Sequence, residues 1–376
     1  METMREVVEA KIASKLNKGY SNVQLATQRL MAERKIAKDF VFEVGSEKKG
    51  IEQRIKFMPN DVGGIGSLFS LPDGPERYNI HMNALRQVAA KLNIPSQYLV
   101  TLLQGDTWQK RLGYEILNTH NGWTDRNKIL VRAVGDEVRA ILSDQYRRLD
   151  SEMIFGTHID AIYEKGGQLS DGYMSDTRVL LESLLPQAIE IKTELNGTIF
   201  IAFGTRLVSS DYGAGALDLR SFIMQGACLN GMVRESILRE IHLGSKLPDN
   251  LALSEETYRL DSLTTSSAIR DLTANLYSSD VIKDRMMEVK AATEMRVDAG
   301  RMLLDLKGLN KLMKGEVDDI GKILMQNNPN DGVQGESTLW KITQGITAYA
   351  NGEDVSQERR IDLQEIAGEL FNKLRN

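Results

Sequence analysis

The sequence predicts an α+β protein, with a central antiparallel meander sheet that carries packed helices, followed by an all-helical C-terminal region. Three observations lead there. Residues 198–243, TIFIAFGTRLVSSDYGAGALDLRSFIMQGACLNGMVRESILREIHL, hold two long alternating apolar runs around an Asp-Tyr-Gly-Ala-Gly turn. A second alternating pair, 129–134 and 138–142, is joined by Gly135-Asp136, a two-residue hairpin turn. After Pro248 the strand signals stop and apolar residues recur at helical spacing.

A chain of 376 residues is long for one core. The composition shifts suggest an N-terminal helical arm with a strand and loop (1–80), an α+β core (81–250), a long helical region (251–330) and a C-terminal helical segment (331–376). Apolar residues at 41% and charged residues at 26% are ordinary for a globular chain. The net charge of -5 argues against nonspecific binding of nucleic acid or membranes through bulk charge, while leaving room for a local basic groove. With Cys228 the single cysteine, an intramolecular disulfide and a Cys-rich zinc site are excluded, and a reducing compartment fits best. The first 20 residues lack an apolar leader core, and nowhere do 18 uncharged apolar residues run together, so the expected location is the cytoplasm, away from membranes.

Along the chain, Val7, Val8, Ile12, Leu16, Val23, Leu25, Leu30 and Met31 fall at helical spacings, giving one or two amphipathic helices over residues 1–38. This end is basic, with 12 Lys and Arg against 8 Asp and Glu over residues 1–56. That surplus fits a solvated helix face, an arm packed on a neighbouring subunit, or a nucleic-acid arm. A short strand near 40–44 follows, then a glycine-rich stretch, VGGIGSLFS at 62–70, which lacks the Lys-Ser/Thr pair of a P-loop and reads as a connector. Residues 81–104 form two short helices broken at Asn93-Ile94-Pro95, with Ser96 placed to cap the second. A helix-turn-helix reading is open there, although the second helix offers no Arg, Lys or Asn at its start to read base edges. A helix from Asp150 to about Tyr163 ends at Gly166-Gly167, and strands at 176–185 and 188–195 lead into the Asn196-Gly197 turn. Strands 199–209 and 216–225 follow, then a helix over 229–243. Beyond, 254–314 is a helical tract with methionine-rich stripes that suit loose packing or a partner surface, 327–335 (NNPNDGVQG) is a linker, and helices cover 337–350 and 358–374. Residues 253–376 hold 16 Lys and Arg against 21 Asp and Glu, so these helices are expected to face protein, a phage or host partner, more than nucleic acid.

No catalytic signature emerges. His81, His120, His158 and His242 are scattered, with no pair at the spacing of a zinc-binding helix, and the nearest histidine to Cys228 is fourteen residues on. The carboxylate pairs Glu294/Asp298 and Asp318/Asp319 read as solvated helix faces. Neither a nucleophile elbow nor a phosphate-binding glycine motif is present. The chain is therefore read as a non-enzyme without cofactor or metal. What remains is a set of arginines on the strand-rich core: Arg132 and Arg139 on the first hairpin, Arg147 and Arg148 beside Tyr146, Arg206 and Arg220 on the second hairpin, with Arg234 and Arg239 on the helix expected after it. Arginines that track phosphates beside a ring that stacks on a base are the mixture used by single-strand binders. The same arginines have carboxylate neighbours in sequence (Asp144, Asp150, Asp211, Asp218, Glu235), and internal pairing accounts for them equally well.

Four segments in order, AILSDQYRRLD (140–150), VSSDYGAG (208–215), residues 223–233 around Cys228-Leu229-Asn230, and TLWKITQGITAY (338–349), resemble a family of phage- and plasmid-borne proteins of unknown function. The family's Asn-Ala-Val-Thr-Glu-Tyr run is here Gln344-Gly345-Ile346-Thr347-Ala348-Tyr349, a departure that removes any fixed role for that segment. The strand meander with its following helix also resembles the core of phage single-strand annealing proteins of the Red-beta type. That resemblance implies a homo-oligomer that holds single-stranded DNA in a basic groove, with a separate helical domain for partners. The leading expectation is thus a phage or plasmid protein that coats or anneals single strands without nucleotide hydrolysis, through Arg132, Arg139, Tyr146, Arg147, Arg148, Arg206 and Arg220. The competing one is a protein-interaction module, such as an inhibitor of a host defence protein, with salt-bridged core arginines and an acidic surface.

Overall fold

The computed structural model describes residues 4–45, 50–60, 63–71, 74–122, 128–144, 146, 151–226, 229–240, 254–326, 328 and 333–375. It has the predicted mixed architecture, built on two sheets. The N-terminal stretch is one long helix, α1 (Met4–Ile36), whose buried residues Val8, Ile12, Leu16, Gly19 and Val23 recur every three or four positions and so form one stripe.

The first sheet collects β1 (Ala37–Glu43), β2 (Ile55–Pro59), β3 (Ile65–Leu71), β4 (Gly74–Ile80), β5 (Lys128–Val134) and β6 (Glu137–Ser143) in the order β1-β5-β6-β4-β3-β2. All pairings are antiparallel except β4 with β6. Three helices, α2 (Met82–Lys91), α3 (Ser96–Gln104) and α4 (Thr107–Gly122), cover it. Leu85, Val88, Leu99, Leu103 and Leu117 pack onto Phe57, Phe69, Val131 and Ile141. The β5–β6 hairpin and the two helices at 81–104 match the sequence reading. The glycine-rich stretch does not: from Ile65 it is β3, paired with strands on both sides, because interstrand hydrogen bonds and the burial of Phe69 override the connector-like composition.

The second sheet is an antiparallel meander of β7 (Gln168–Met174), β8 (Val179–Leu184), β10 (Thr198–Ser209), β11 (Leu217–Gln225) and β12 (Asn230–Glu240), in the order β12-β11-β10-β8-β7, with β9 (Ile189–Lys192) paired to the start of β10. The helix α5 (Ser151–Glu164) precedes β7. The helix predicted over 229–243 is instead β12 in its described part. The pairs Met232-Val233 and Ile237-Leu238 satisfy helical spacing, but they also give each face of a strand one apolar residue. Met232 joins the core under the C-terminal helices, whereas Val233 joins the cluster under α1. Leu229, at φ 60°, turns the chain back so that β12 pairs with β11.

The C-terminal helices α6 (Glu255–Leu276), α7 (Ser279–Glu294), α8 (Ala299–Gly308), α9 (Lys314–Gln326), α10 (Leu339–Ala350) and α11 (Gln357–Glu369), with a terminal 3-10 turn Leu370–Arg375, share their core with this sheet. Ile199, Ile201, Phe203 and Ile223 meet Trp340, Ile342, Leu363 and Phe371 there. On the opposite face, the alternate residues Phe200, Ala202, Phe222 and Met224 meet Val8, Ile12 and Leu16 of α1. The segment expected at 81–250 therefore supplies strands to both sheets, and the helices after 250 complete the second core. Of the predicted linker, the described residues are docked rather than free. Val333 is fully buried, and the Asn196 amide donates to the carbonyls of Gln334 (2.8 Å) and Glu336 (3.4 Å).

Two arginines tie the sheets together. Arg132 on β5 pairs with Asp39 (2.8 Å) and donates to the Asp211 carbonyl in the β10–β11 turn. Arg139 on β6 pairs with Glu33 of α1 (2.5 Å) and lies over the Tyr212 ring at 5.7 Å. Asn83 and Gln87 of α2 donate to the Tyr212 carbonyl (2.9 and 2.8 Å). The Asp-Tyr-Gly-Ala-Gly turn is thus the plug by which the second sheet seats on the first.

Candidate anion-binding groove

The expected DNA-binding residues do not form a common surface. Arg132, Arg139 and Arg206 are buried, Arg220 is half-buried, and each one donates to an acceptor of the chain. Arg206 pairs with Glu182 (2.8 Å), reaches Gln364 of α11, and lies over Phe222 at 5.2 Å. Arg220 pairs with Asp218 (2.6 Å) and approaches Glu365 at 3.6 Å. Burial works against the charge on Arg220, but these two carboxylates hold its pKa above the usual arginine value. Arg234 is also paired internally, with Glu288 at 3.1 Å and the Phe371 ring at 5.0 Å. The partners come from Asp39, Glu33, Glu182, Glu365 and Glu288 far along the chain, with Asp218 a sequence neighbour. Tyr146 is buried and donates to the Ser210 carbonyl (3.2 Å), so its ring has no free face to stack on a base. Arg147, Arg148 and Cys228 lie outside the described residues.

A chain of hydroxyls and imidazole runs beneath the second sheet. His158 bonds Thr273 (2.8 Å) and Thr205 (3.2 Å), Thr205 bonds Ser183 (2.6 Å), and Ser183 bonds Tyr277 (2.7 Å). His158, Thr205 and Ser183 have no solvent exposure, so the array is structural and no substrate reaches it. Burial holds the His158 imidazole neutral, with its pKa down at about 3. Among the described residues, no group of three or more His, Cys, Asp and Glu could hold a metal ion, and no helix is long and apolar enough to cross a membrane.

Free positive charge lies elsewhere, in an open groove of about 570 Å³ between α1, β7 and the start of α11. Lys15, Lys18 and Arg29 of α1 and Arg360 of α11 line it, with Asn22, Tyr173 and the single carboxylate Asp171. Close backbone approach builds it. A Cβ on Gly19 would fall 1.9 Å from the Ser170 carbonyl oxygen, and one on Gly172 would fall 2.6 Å from Val23 Cα, so the two glycines let α1 lie directly on β7. The register slips between Leu169 and Asp171, leaving Ser170 as the extra residue of a bulge. Asp171 is occupied by the Asn22 amide (2.8 Å) and the Gly172 N–H (2.9 Å). Arg29 is held by Glu33 (2.8 Å) and Asp176 (2.5 Å), whereas among the described residues Arg360 donates to neutral oxygens alone, Ala350 O (2.9 Å) and Gln357 Oε1 (3.3 Å). Lys15 and Lys18 make no ion pair among the described residues. Ser170 also lines the groove, and its buried hydroxyl has no hydrogen-bond partner. α11 starts here, with Ser356 capping Arg359 N and Glu358 in the first turn, so a carboxylate of the chain already meets the positive end of its dipole. The arrangement suits an extended anion with a flat group to rest on Tyr173.

None of these residues was singled out in the sequence. The available signal was the basic surplus of the N-terminus, which in α1 alone amounts to seven Lys and Arg against three Glu. Comparisons with protein-family models, curated proteins and solved structures return no match, so the resemblance to phage and plasmid proteins rests on its four segments alone.

Proposed function

We propose that the chain binds single-stranded nucleic acid in the groove between α1, β7 and α11, without nucleotide hydrolysis, and that its coating or annealing of strands, its assembly into homo-oligomers and its mobile-element setting follow from that role. One observation carries the reading: a groove of about 570 Å³ is lined by Lys15, Lys18 and Arg360, none of them in an ion pair among the described residues, together with Tyr173 and with Arg29, which Glu33 and Asp176 hold. This is the chemistry of phosphate neutralisation and base stacking, supplied by Lys15, Lys18, Arg360 and Tyr173 with Arg29 in support. Fluorescence anisotropy with single-stranded and duplex oligonucleotides tests it. The wild type binds the single strand at low salt, the double variant Lys15→Glu/Lys18→Glu loses about tenfold or more in affinity, and Arg220→Ala loses little. Equal binding by the wild type and the double variant sinks the assignment.

A second reading, the protein-interaction module, is supported by the internal pairing of the core arginines and by the surplus of acidic residues after 253. It requires a protein captured from host or phage extract whose retention survives high salt and the Lys15→Glu/Lys18→Glu change.

A further inference from the structure

On the other side of α1 lies a cleft of a different kind. Between α1 and α5, about 240 Å³ is walled by Val23, Leu30, Phe155, Ile159 and Leu181, all apolar. The α5 residues that line it, Glu152, Phe155, Gly156 and Ile159, are spaced three, four and seven apart, so they form one stripe that faces α1. In the middle of that stripe stands a glycine. Glycine inside a helix is destabilising relative to alanine, because it loses more backbone freedom on folding. Gly156 is exposed and no contact requires it: a Cβ built on it meets nothing within 4 Å, and its φ is not in the left-handed region. By contrast, Gly172, which lines the same cleft, is needed for the contact with Val23. Glycine at 156 keeps the α5 edge of the cleft open.

We propose that this cleft is a binding site for a small apolar molecule, neutral or cationic, about the size of a bicyclic aromatic. Size follows from volume, because a cavity of roughly 150 Å³ already takes benzene. Charge preference follows from the mouth, where Glu152 is exposed and has no ion-pair partner among the described residues. Thr27 supplies a hydroxyl and Met31, 48% exposed, a flexible apolar flap. The site stands independently of nucleic-acid binding, although it shares α1 with the groove.

N-phenyl-1-naphthylamine, which is neutral and fluoresces in apolar surroundings, is the probe, and 1-anilinonaphthalene-8-sulfonate is its anionic counterpart. The full chain binds the neutral probe saturably, and the sulfonate binds about tenfold more weakly. Glu152→Gln narrows that gap. Gly156→Leu, which fills the cleft and improves the helix, abolishes saturable binding while circular dichroism stays native, and Gly156→Ala weakens it several-fold. Absence of saturable enhancement in the wild type, or unchanged binding in Gly156→Leu and Gly156→Ala, overturns the proposal.

Discussion

Lowering the pH tests the buried core through one residue. His158 projects from α5 toward α6 and β10, hydrogen-bonded on both ring nitrogens to the hydroxyls of Thr273 and Thr205, and burial lowers its pKa from 6.5 to about 3. Because the folded pKa is depressed below the unfolded one, the folded state is favoured in full above about pH 6.5, and that advantage shrinks as the pH falls toward 3. Each unit of pH in this window removes about 1.4 kcal/mol, so at pH 4.5 the loss from this group alone is about 3 kcal/mol. Carboxylates titrate in the same range, so the measurement is a difference. Urea denaturation of the wild type and of His158→Gln, which keeps a neutral hydrogen-bonding side chain, is followed at pH 7.5 and 4.5. His158→Gln is the less stable at pH 7.5, through lost packing. Between the two pH values, however, it loses about 3 kcal/mol less than the wild type. If both proteins lose the same amount, or if the His158 ring titrates near pH 6.5 by nuclear magnetic resonance, the buried neutral imidazole is refuted.

Arg206→Ala leaves Glu182 buried without its partner and destabilises the fold by about 3–5 kcal/mol in urea denaturation, whereas Arg206→Met with Glu182→Met recovers most of that loss. Gly19→Ala forces α1 away from β7, because the added Cβ would sit 1.9 Å from the Ser170 carbonyl oxygen. It lowers stability by about 1–3 kcal/mol and weakens oligonucleotide binding in the same preparation, since Lys15 and Lys18 move with the helix. Asn196→Ala removes the side chain that bonds Gln334, Glu336 and Thr338, costing about 1–3 kcal/mol and raising amide hydrogen exchange over 333–338.

Local patterns were legible in the sequence, and patterns that depend on a distant partner were not. The β5–β6 hairpin and the Asn196-Gly197 turn carry their own turn chemistry, so composition placed them correctly. β12 was misread because Met232-Val233 and Ile237-Leu238 fit two periods, and only the open edge of β11 decides between them. The arginines carried a signal that went unused. Arg206 is embedded in the apolar run of β10 and Glu182 in that of β8, and a charge inside such a run must be paired when the strand is buried on both faces. The two residues stand directly opposite in the β8–β10 register. The groove offered no comparable cue, since Lys15, Asp171 and Arg360 are brought together from three distant segments, each ordinary for a surface.

The placement of charge also limits what kind of nucleic-acid binder this fold suits. Arg132 and Arg139 are spent on joining the sheets, and Arg206, Arg220 and Arg234 on fastening β10, β11 and β12 to the C-terminal helices. In the proposed reading the phosphates are met by the groove residues. For single strands the logarithm of affinity falls with the logarithm of salt by about 0.7 per phosphate neutralised. Lys15 and Lys18 alone therefore give a slope near -1.4, and with Arg360 the three groove cations outside ion pairs give about -2.1. A slope within that window assigns binding to one groove on one chain. A much steeper slope requires several copies aligned on one strand, which is the behaviour expected of an annealing assembly, while a slope near zero leaves the protein-interaction module as the remaining account of the same surface.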